Sequence, residues 1–201
     1  MRGVEQIPWL YDGLCAVMER TGLAPFRRWL AAGARGRTLD VGCGTGRGLR
    51  FYGPGARVIG LDPARASLAR ARRRIPGSRL VQASAEALPF RDGVFDTVVS
   101  SFVFCSVPDP ARGFVEVKRV LRPDGQLRML EHVRSRRRWK AAFQDRVQPI
   151  WTRLSGGCRP NRETERLVNA AGFAIDAADR LEKADLRRFS ARPASERCPR
   201  S

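Results

Sequence analysis

At 201 residues the chain has room for one α/β domain with a sizeable core, and its 43% hydrophobic and 29% charged content is that of an ordinary globule. The net charge of +18 is not ordinary and raises nucleic acid or an anionic membrane surface as partners. Lys118, Lys140 and Lys183 are, however, the only lysines among 38 basic residues, so the excess reads as a compositional bias toward arginine. Cys15, Cys43, Cys105, Cys158 and Cys198 are odd in number and form no C-x-x-C pair. That argues against a disulfide framework or a zinc site and for a reducing, cytoplasmic location. The first residues lack an apolar signal region, and no run is long enough for a membrane span.

In chain order, residues 8–20 carry Trp9, Leu10, Leu14, Val17 and Met18 at helical spacing, and residues 25–32 follow as a second helix opened by Pro25. Together, residues 1–33 read as an N-terminal helical cap. Strands are expected at 36–41, 57–61, 79–83, 95–101 and 126–133. Between them lie a short helix to Tyr52, a helix over 64–74 and a helix from Pro108 to Leu121. This alternation predicts a Rossmann-like, doubly wound, mostly parallel sheet with helices on both faces. In such a sheet, ligands bind beyond the strand C-termini, at the switch point of the strand order. Asp40 to Gly46, Asp62, Ser84 to Glu86, Ser100, Ser101 and His132 all fall just after expected strands, so they converge on one crevice.

Residues 135–154 form another helical segment, with Trp139, Phe143, Val147, Ile150, Trp151 and Leu154 in periodic positions and Pro149 inside it. A buried aromatic stripe makes residues 135–157 a lid over the substrate pocket. As a basic amphipathic helix, the same segment would lie on a membrane. A helix over 162–171 and a strand at 173–176 come next. Residues 181–201 look like an Arg-rich, disordered tail with no strand-like run, which would leave the last strand of the sheet missing.

Chemistry is concentrated in T-L-D-V-G-C-G-T-G-R-G, residues 38–48. The dinucleotide pattern G-x-G-x-x-G fails, because Arg47 or Leu49 stands where its third glycine would be. The observed D-V-G-C-G-T-G instead resembles the first motif of the class I S-adenosylmethionine (SAM) methyltransferases. A-S-A-E-A-L-P-F at residues 83–90, F-D-T-V-V-S-S-F-V-F-C-S-V-P-D-P at 95–110 and E-V-K-R-V-L-R-P-D-G at 116–125 resemble further motifs of the large group related to the ubiquinone and menaquinone C-methyltransferases. Cys105-Ser106-Val107, L-E-H-V at 130–133 and W-x-x-L-S-G-G-C at 151–158 resemble a narrower subset. It contains small-molecule thiol S-methyltransferases and bacterial phospholipid N-methyltransferase-like proteins.

The resemblance implies SAM as cofactor and no metal. It implies a binding set of Asp40, Gly42, Cys43, Gly44, Gly46, Asp62, Pro63, Ser84, Ala85, Glu86, Ser100 and Ser101. Loop amides and a helix N-terminus would face the amino-acid end of SAM, and Asp62 would take the ribose hydroxyls. His132, the only histidine, is the candidate base, because imidazole is suited to accepting a proton near neutral pH. Cys105 is a pocket candidate. The expected acceptor is a small, lipophilic thiol, amine, quinone or phospholipid-like molecule. The alternatives are an RNA methyltransferase, prompted by the charge, and a catalytically impaired SAM-binding homologue, prompted by the tail. The oligomeric state is not legible in the sequence.

Overall fold

The computed structural model describes residues 23–154, 157–183 and 185–194. The helix expected over residues 8–20 lies outside them. Among the described residues eight strands form one sheet: β1 (Gly36–Val41), β2 (Ala56–Asp62), β3 (Arg79–Gln82), β4 (Phe95–Ser101), β5 (Leu121–His132), β6 (Phe173–Ile175), β7 (Leu181–Lys183) and β8 (Leu186–Pro193). Their order is β3-β2-β1-β4-β5-β8-β6, with β7 paired to β8. The first five neighbours are parallel, and β8 runs antiparallel to β5, β6 and β7. The order reverses between β1 and β4, so the crevice opens past Val41 and Ser101.

The helices are α1 (Ala24–Ala32), α2 (Arg65–Arg74), α3 (Pro110–Val120), α4 (Arg138–Leu154) and α5 (Thr164–Ala170). Asp109 caps α3 by accepting the Arg112 N–H at 3.1 Å, and Pro110 occupies its first turn, where the absent N–H costs nothing. Leu39, Val41, Leu61, Val98, Leu127 and Met129 are buried in the main core with Phe114 and Val117 of α3. Phe104 stacks on Phe114 with ring centroids 4.0 Å apart. On the other face, Phe26 and Leu30 of α1 pack on Val99 and Leu130. Buried Arg128 of β5 donates to the carbonyls of Trp29 and Leu30 near the end of α1, at 2.7 and 3.2 Å, which holds that helix over the crevice.

Three expectations need correction. The short helix toward Tyr52 is only a 3-10 turn, Leu49–Phe51, because Gly53 and Pro54 stop the chain before an α-helical nucleus can form. The last strand is not missing. β8 runs through the supposed disordered tail and pairs with β5 from Leu127↔Ala191 to His132↔Leu186. Its buried positions are Arg187, Phe189, Ser190 and Ala191. Arg187 is held by Glu182 at 2.7 Å, and Arg188 lies over the Trp29 ring at 4.8 Å. These arginines have tertiary partners, which composition could not reveal.

The third correction concerns α4. Trp139 (68% exposed), Phe143 (61%) and Ile150 (65%) face outward and Trp151 is half exposed at the edge of that face, so they are not a buried stripe. Ala141 and Gln144 face inward instead. Pro149 is accommodated within a continuous helix.

Candidate active site

The glycine loop after β1 follows its sequence closely. Gly42, Gly44 and Gly46 take φ of +68°, +54° and +76°, the left-handed region that glycine enters without a Cβ penalty. At Gly42 a Cβ would come within 2.3 Å of Val103 Cγ2, so the loop could not close on the segment after β4. At Gly44 a Cβ would meet nothing within 4 Å, because this residue faces the open cleft. The loop is tied to β2 twice. Cys43 N–H donates to Leu61 O at 2.9 Å, and Gly44 N–H donates to Asp62 Oδ2 at 3.0 Å.

The crevice has two lobes that share Gly42, Gly44 and Ser101. One lies under α1 and is lined by Arg27, Asp40, Cys43, Thr45 and Tyr52. The other, with a cavity volume of about 280 Å³, runs from Asp62 and Pro63 past Ser84 and Ala85 to Val103, Ser106 and Pro108. Its size and mixed lining suit an elongated ligand with an apolar middle and polar ends.

Electrostatics differ between the lobes. Burial raises the Asp40 carboxyl to about 7, opposed by a hydrogen bond with Tyr52 and the nearby charge of Arg27. Burial also raises Asp62 above its usual range, while the N–H groups of Ala64 and Gly44 pull the other way. Asp62 Oδ1 accepts the Ala64 N–H at 2.8 Å. Each carboxylate oxygen keeps a further acceptor site for a ligand hydroxyl.

The remaining sequence candidates divide. Ser84 lines the cleft and donates to Glu86 Oε2 at 2.9 Å. Glu86 also accepts the Asp109 N–H at 2.7 Å, so its carboxylate braces two loops. Gly46 sits behind the loop against Ala71. Ser100 is fully buried and 3.3 Å from Glu131 Oε1, which puts it behind the crevice wall. Cys105 is buried as well, and its thiol bonds to Cys158.

His132 is half-buried, with its ring 4.7 Å from that of Phe102, which lines the cleft. It also hydrogen-bonds to Cys158. The hydrogen bond from Cys105, together with those from His132 and Trp151, holds the Cys158 thiol below its ordinary range. Cys105 is correspondingly pushed up. The Cys158 thiol therefore gives up its proton more readily than an ordinary cysteine. W-x-x-L-S-G-G-C contained this cysteine, but its pairing with His132 had no sequence signal.

Two bracing groups were also missed. Glu131, buried in β5, accepts the N–H groups of Val103 and Phe104 at 3.0 Å each and so holds the turn in which Phe102 takes φ +58°. A carboxylate inside the apolar run M-L-E-H-V was the available signal. Arg119 donates to the carbonyls of Leu88 and Phe90 at 3.0 and 2.8 Å and pairs with Glu116 and Asp92. The E-x-x-R spacing in α3 was visible, but its target loop was not.

The methyltransferase domain model matches residues 39–129, from β1 to β5. The chain is 37% identical over 174 residues to the human thiol S-methyltransferase TMT1A, covering 82% of this chain and 71% of that protein. This chain belongs to the SAM-dependent methyltransferases. Human thiol S-methyltransferase TMT1B is 38% identical over 153 residues, covering 71% of this chain and 62% of that protein. The phosphatidylethanolamine N-methyltransferase of Cereibacter sphaeroides is 40% identical over 117 residues, covering 54% of this chain and 58% of that protein. The match thus leaves more than a third of TMT1B and of the bacterial enzyme unspanned. Among solved structures, an S-adenosylmethionine-dependent methyltransferase from Mesorhizobium loti superposes with a TM-score of 0.64 at 21% identity, covering 85% of this chain and 97% of that one. At that identity the likeness concerns the fold alone.

SAM is the cofactor of this family, and the crevice fits it. Gly44 opens onto the cleft without a Cβ, an acid ends β2, and a partly apolar cavity lies between them. Among the described residues no cluster of His, Cys, Asp or Glu is arranged to hold a metal.

Proposed function

We propose that the protein transfers the methyl group of SAM to the sulfur of a small lipophilic thiol. The observation that carries this reading is His132, whose ring lies 4.7 Å from that of Phe102 in the cleft wall and which hydrogen-bonds to Cys158 behind it. The two human thiol S-methyltransferase relatives support it. SAM supplies the activated methyl on a sulfonium.

The chain supplies alignment and exclusion of water. Asp62 takes the ribose hydroxyls through the free acceptor sites of both oxygens. Ser84 and Ala85 line the adenine side. Asp40, with Arg27 nearby, receives the charged amino-acid end, and the Gly42–Gly44 backbone lies against it. Phe102, Val103 and Val107 form the apolar wall where the acceptor lies. His132 takes the thiol proton as the sulfur attacks, and its half-exposed ring passes that proton to solvent. Described cysteines Cys43, Cys105 and Cys158 are buried free thiols, which suits a reducing compartment such as the cytoplasm. With β8 completing the sheet edge, the reason to expect an impaired homologue falls away.

The test is SAM binding by calorimetry, followed by a labelled-methyl screen of thiols, amines and quinols. SAM should bind and thiols should take the label, with His132→Ala slowing transfer and the deficit shrinking as pH rises toward the acceptor thiol's own pKa, where thiolate forms unaided. Absence of SAM binding at high micromolar concentration overturns the reading. Label on amines alone moves the acceptor from sulfur to nitrogen.

A further inference from the structure

Helix α4 is amphipathic in the reverse of the usual sense. Its inward face is polar. Gln144 is buried, accepts the Ser135 N–H at 2.8 Å and donates to Val133 O at 3.4 Å. Thr152 donates to Cys158 O at 3.0 Å and accepts from Gln148 at 3.0 Å. Asp145, the helix's one acid, is tied to Arg134 at 2.6 Å and to Asn161 at 2.9 Å. These bonds fix the helix's rotation, so outward exposure of its apolar residues is imposed by the fold.

The outward face is apolar with a basic margin. Trp139, Phe143 and Ile150 are each more than 60% exposed, and at 100° per residue they fall within about 40° of one another. Exposed Arg146 and Arg153 lie immediately beside them, and Arg138 extends the margin at the helix start. Large apolar side chains normally turn inward, so three on one exposed stripe is an unusual burden for a surface in water. A polyanion such as RNA would satisfy the arginines and leave Phe143 and Ile150 wet. The headgroup region of an anionic bilayer satisfies both sets at once: aromatic and aliphatic side chains enter the acyl boundary while arginines stay at the phosphates. Among the described residues no helix is long and apolar enough to cross a membrane, so contact through this face is interfacial.

We propose that α4 is an interfacial membrane-binding helix that seats the protein on anionic phospholipid through Trp139, Phe143 and Ile150, with Arg138, Arg146 and Arg153 at the headgroups. The inference goes beyond the thiol reading and stands on geometry independent of catalysis. Seated this way, the enzyme meets acceptors already dissolved in lipid.

Flotation of the full chain with phosphatidylcholine vesicles, with and without phosphatidylglycerol, tests it. The chain should float with the anionic vesicles and much less with the neutral ones. The triple change Trp139→Ser, Phe143→Ser, Ile150→Ser should reduce flotation at least about tenfold, as loss of buried apolar area requires. Calorimetric SAM affinity should stay unchanged in that variant, which shows that it is folded. Changing Arg138, Arg146 and Arg153 to Gln should lower the preference for anionic vesicles. A parent chain that does not float, or a triple variant that floats like the parent, overturns the proposal. So does binding to polyphosphate and vesicles alike that depends only on the arginines, which would mark a polyanion surface. A parent dimer in light scattering that the triple change dissolves would assign the face to a second copy of this chain, and that also overturns it.

Discussion

Gly44 and Asp62 stand 18 residues apart and meet through a 3.0 Å hydrogen bond from the Gly44 N–H to Oδ2. One carboxylate therefore shapes the glycine loop and, in the function proposed above, offers ribose acceptors at the same time. Asp62→Ala removes both functions. Hydrogen bonds to a charged group contribute about 1.5–3 kcal/mol each, so SAM affinity should fall by about 10- to 100-fold. Asp62→Asn keeps one acceptor oxygen and should lose less. Calorimetric titration with SAM measures both.

Asp40 makes the protein sensitive to pH. Its carboxyl is raised from 3.8 to about 7 by burial, so the fold favours the protonated form. The stability this contributes is complete below about 3.8 and disappears as pH rises through about 7. The ligand-free protein should therefore melt at progressively lower temperature across that window, and Asp40→Asn should flatten the dependence. The cationic amino and sulfonium groups of SAM favour the carboxylate, so binding should release a proton and tighten as pH rises through about 7. Calorimetry in buffers of different ionisation enthalpy reads the proton directly. A proton count near zero at pH values below the midpoint would refute the assignment.

Arg119 holds the loop proposed to border the adenine side. Its guanidinium satisfies the carbonyls of Leu88 and Phe90 and pairs with Glu116 at 2.7 Å. Arg119→Ala should cost about 2–4 kcal/mol, the sum of lost charged hydrogen bonds discounted for partial exposure. Lysine presents a single ammonium in place of the planar fork and should recover little of the loss. Urea unfolding gives the stability, and the KM for SAM reports on the loop.

The Cys105–Cys158 pair predicts a spectroscopic signature. Cys158 is held below the ordinary thiol range first by the hydrogen bond from Cys105. Replacing Cys105 with Ala should move the thiolate absorbance transition to higher pH, and His132→Ala should move it further the same way. Because the folded value is depressed, the associated stability is present above the ordinary thiol pKa of about 9 and is lost as pH falls through the folded value. An unchanged transition in both variants would show that neither residue touches the sulfur.

Legibility followed the range of the interactions involved. The glycine loop, Asp62 and the strand–helix alternation were readable because each depends on local backbone chemistry: left-handed φ, a strand end, a period of two or 3.6. Ser100 lies behind the crevice wall while Ser101 lines the cleft, because neighbouring strand residues point to opposite faces of the sheet. β8 was missed because Arg187 and Arg188 look like a solvated tail until Glu182 and Trp29 are beside them. In α4 the apolar period was read correctly and its direction was not. Gln144 and Thr152 turn that helix, and nothing in its own sequence says which stripe the rest of the chain will hold.

The sequence by itself determined the parallel sheet, the crevice at its switch point and the identity of the methyl donor, since these rest on residues acting through their neighbours in the chain. The tertiary structure alone decided the last strand, the His132–Cys158–Cys105 group and the outward stripe of α4. Each is a side-chain pairing outside regular backbone periodicity: a charge is neutralised across the β7–β8 turn, a thiol's proton is loosened by residues from two other segments, and a helix is rotated by the segments that flank it.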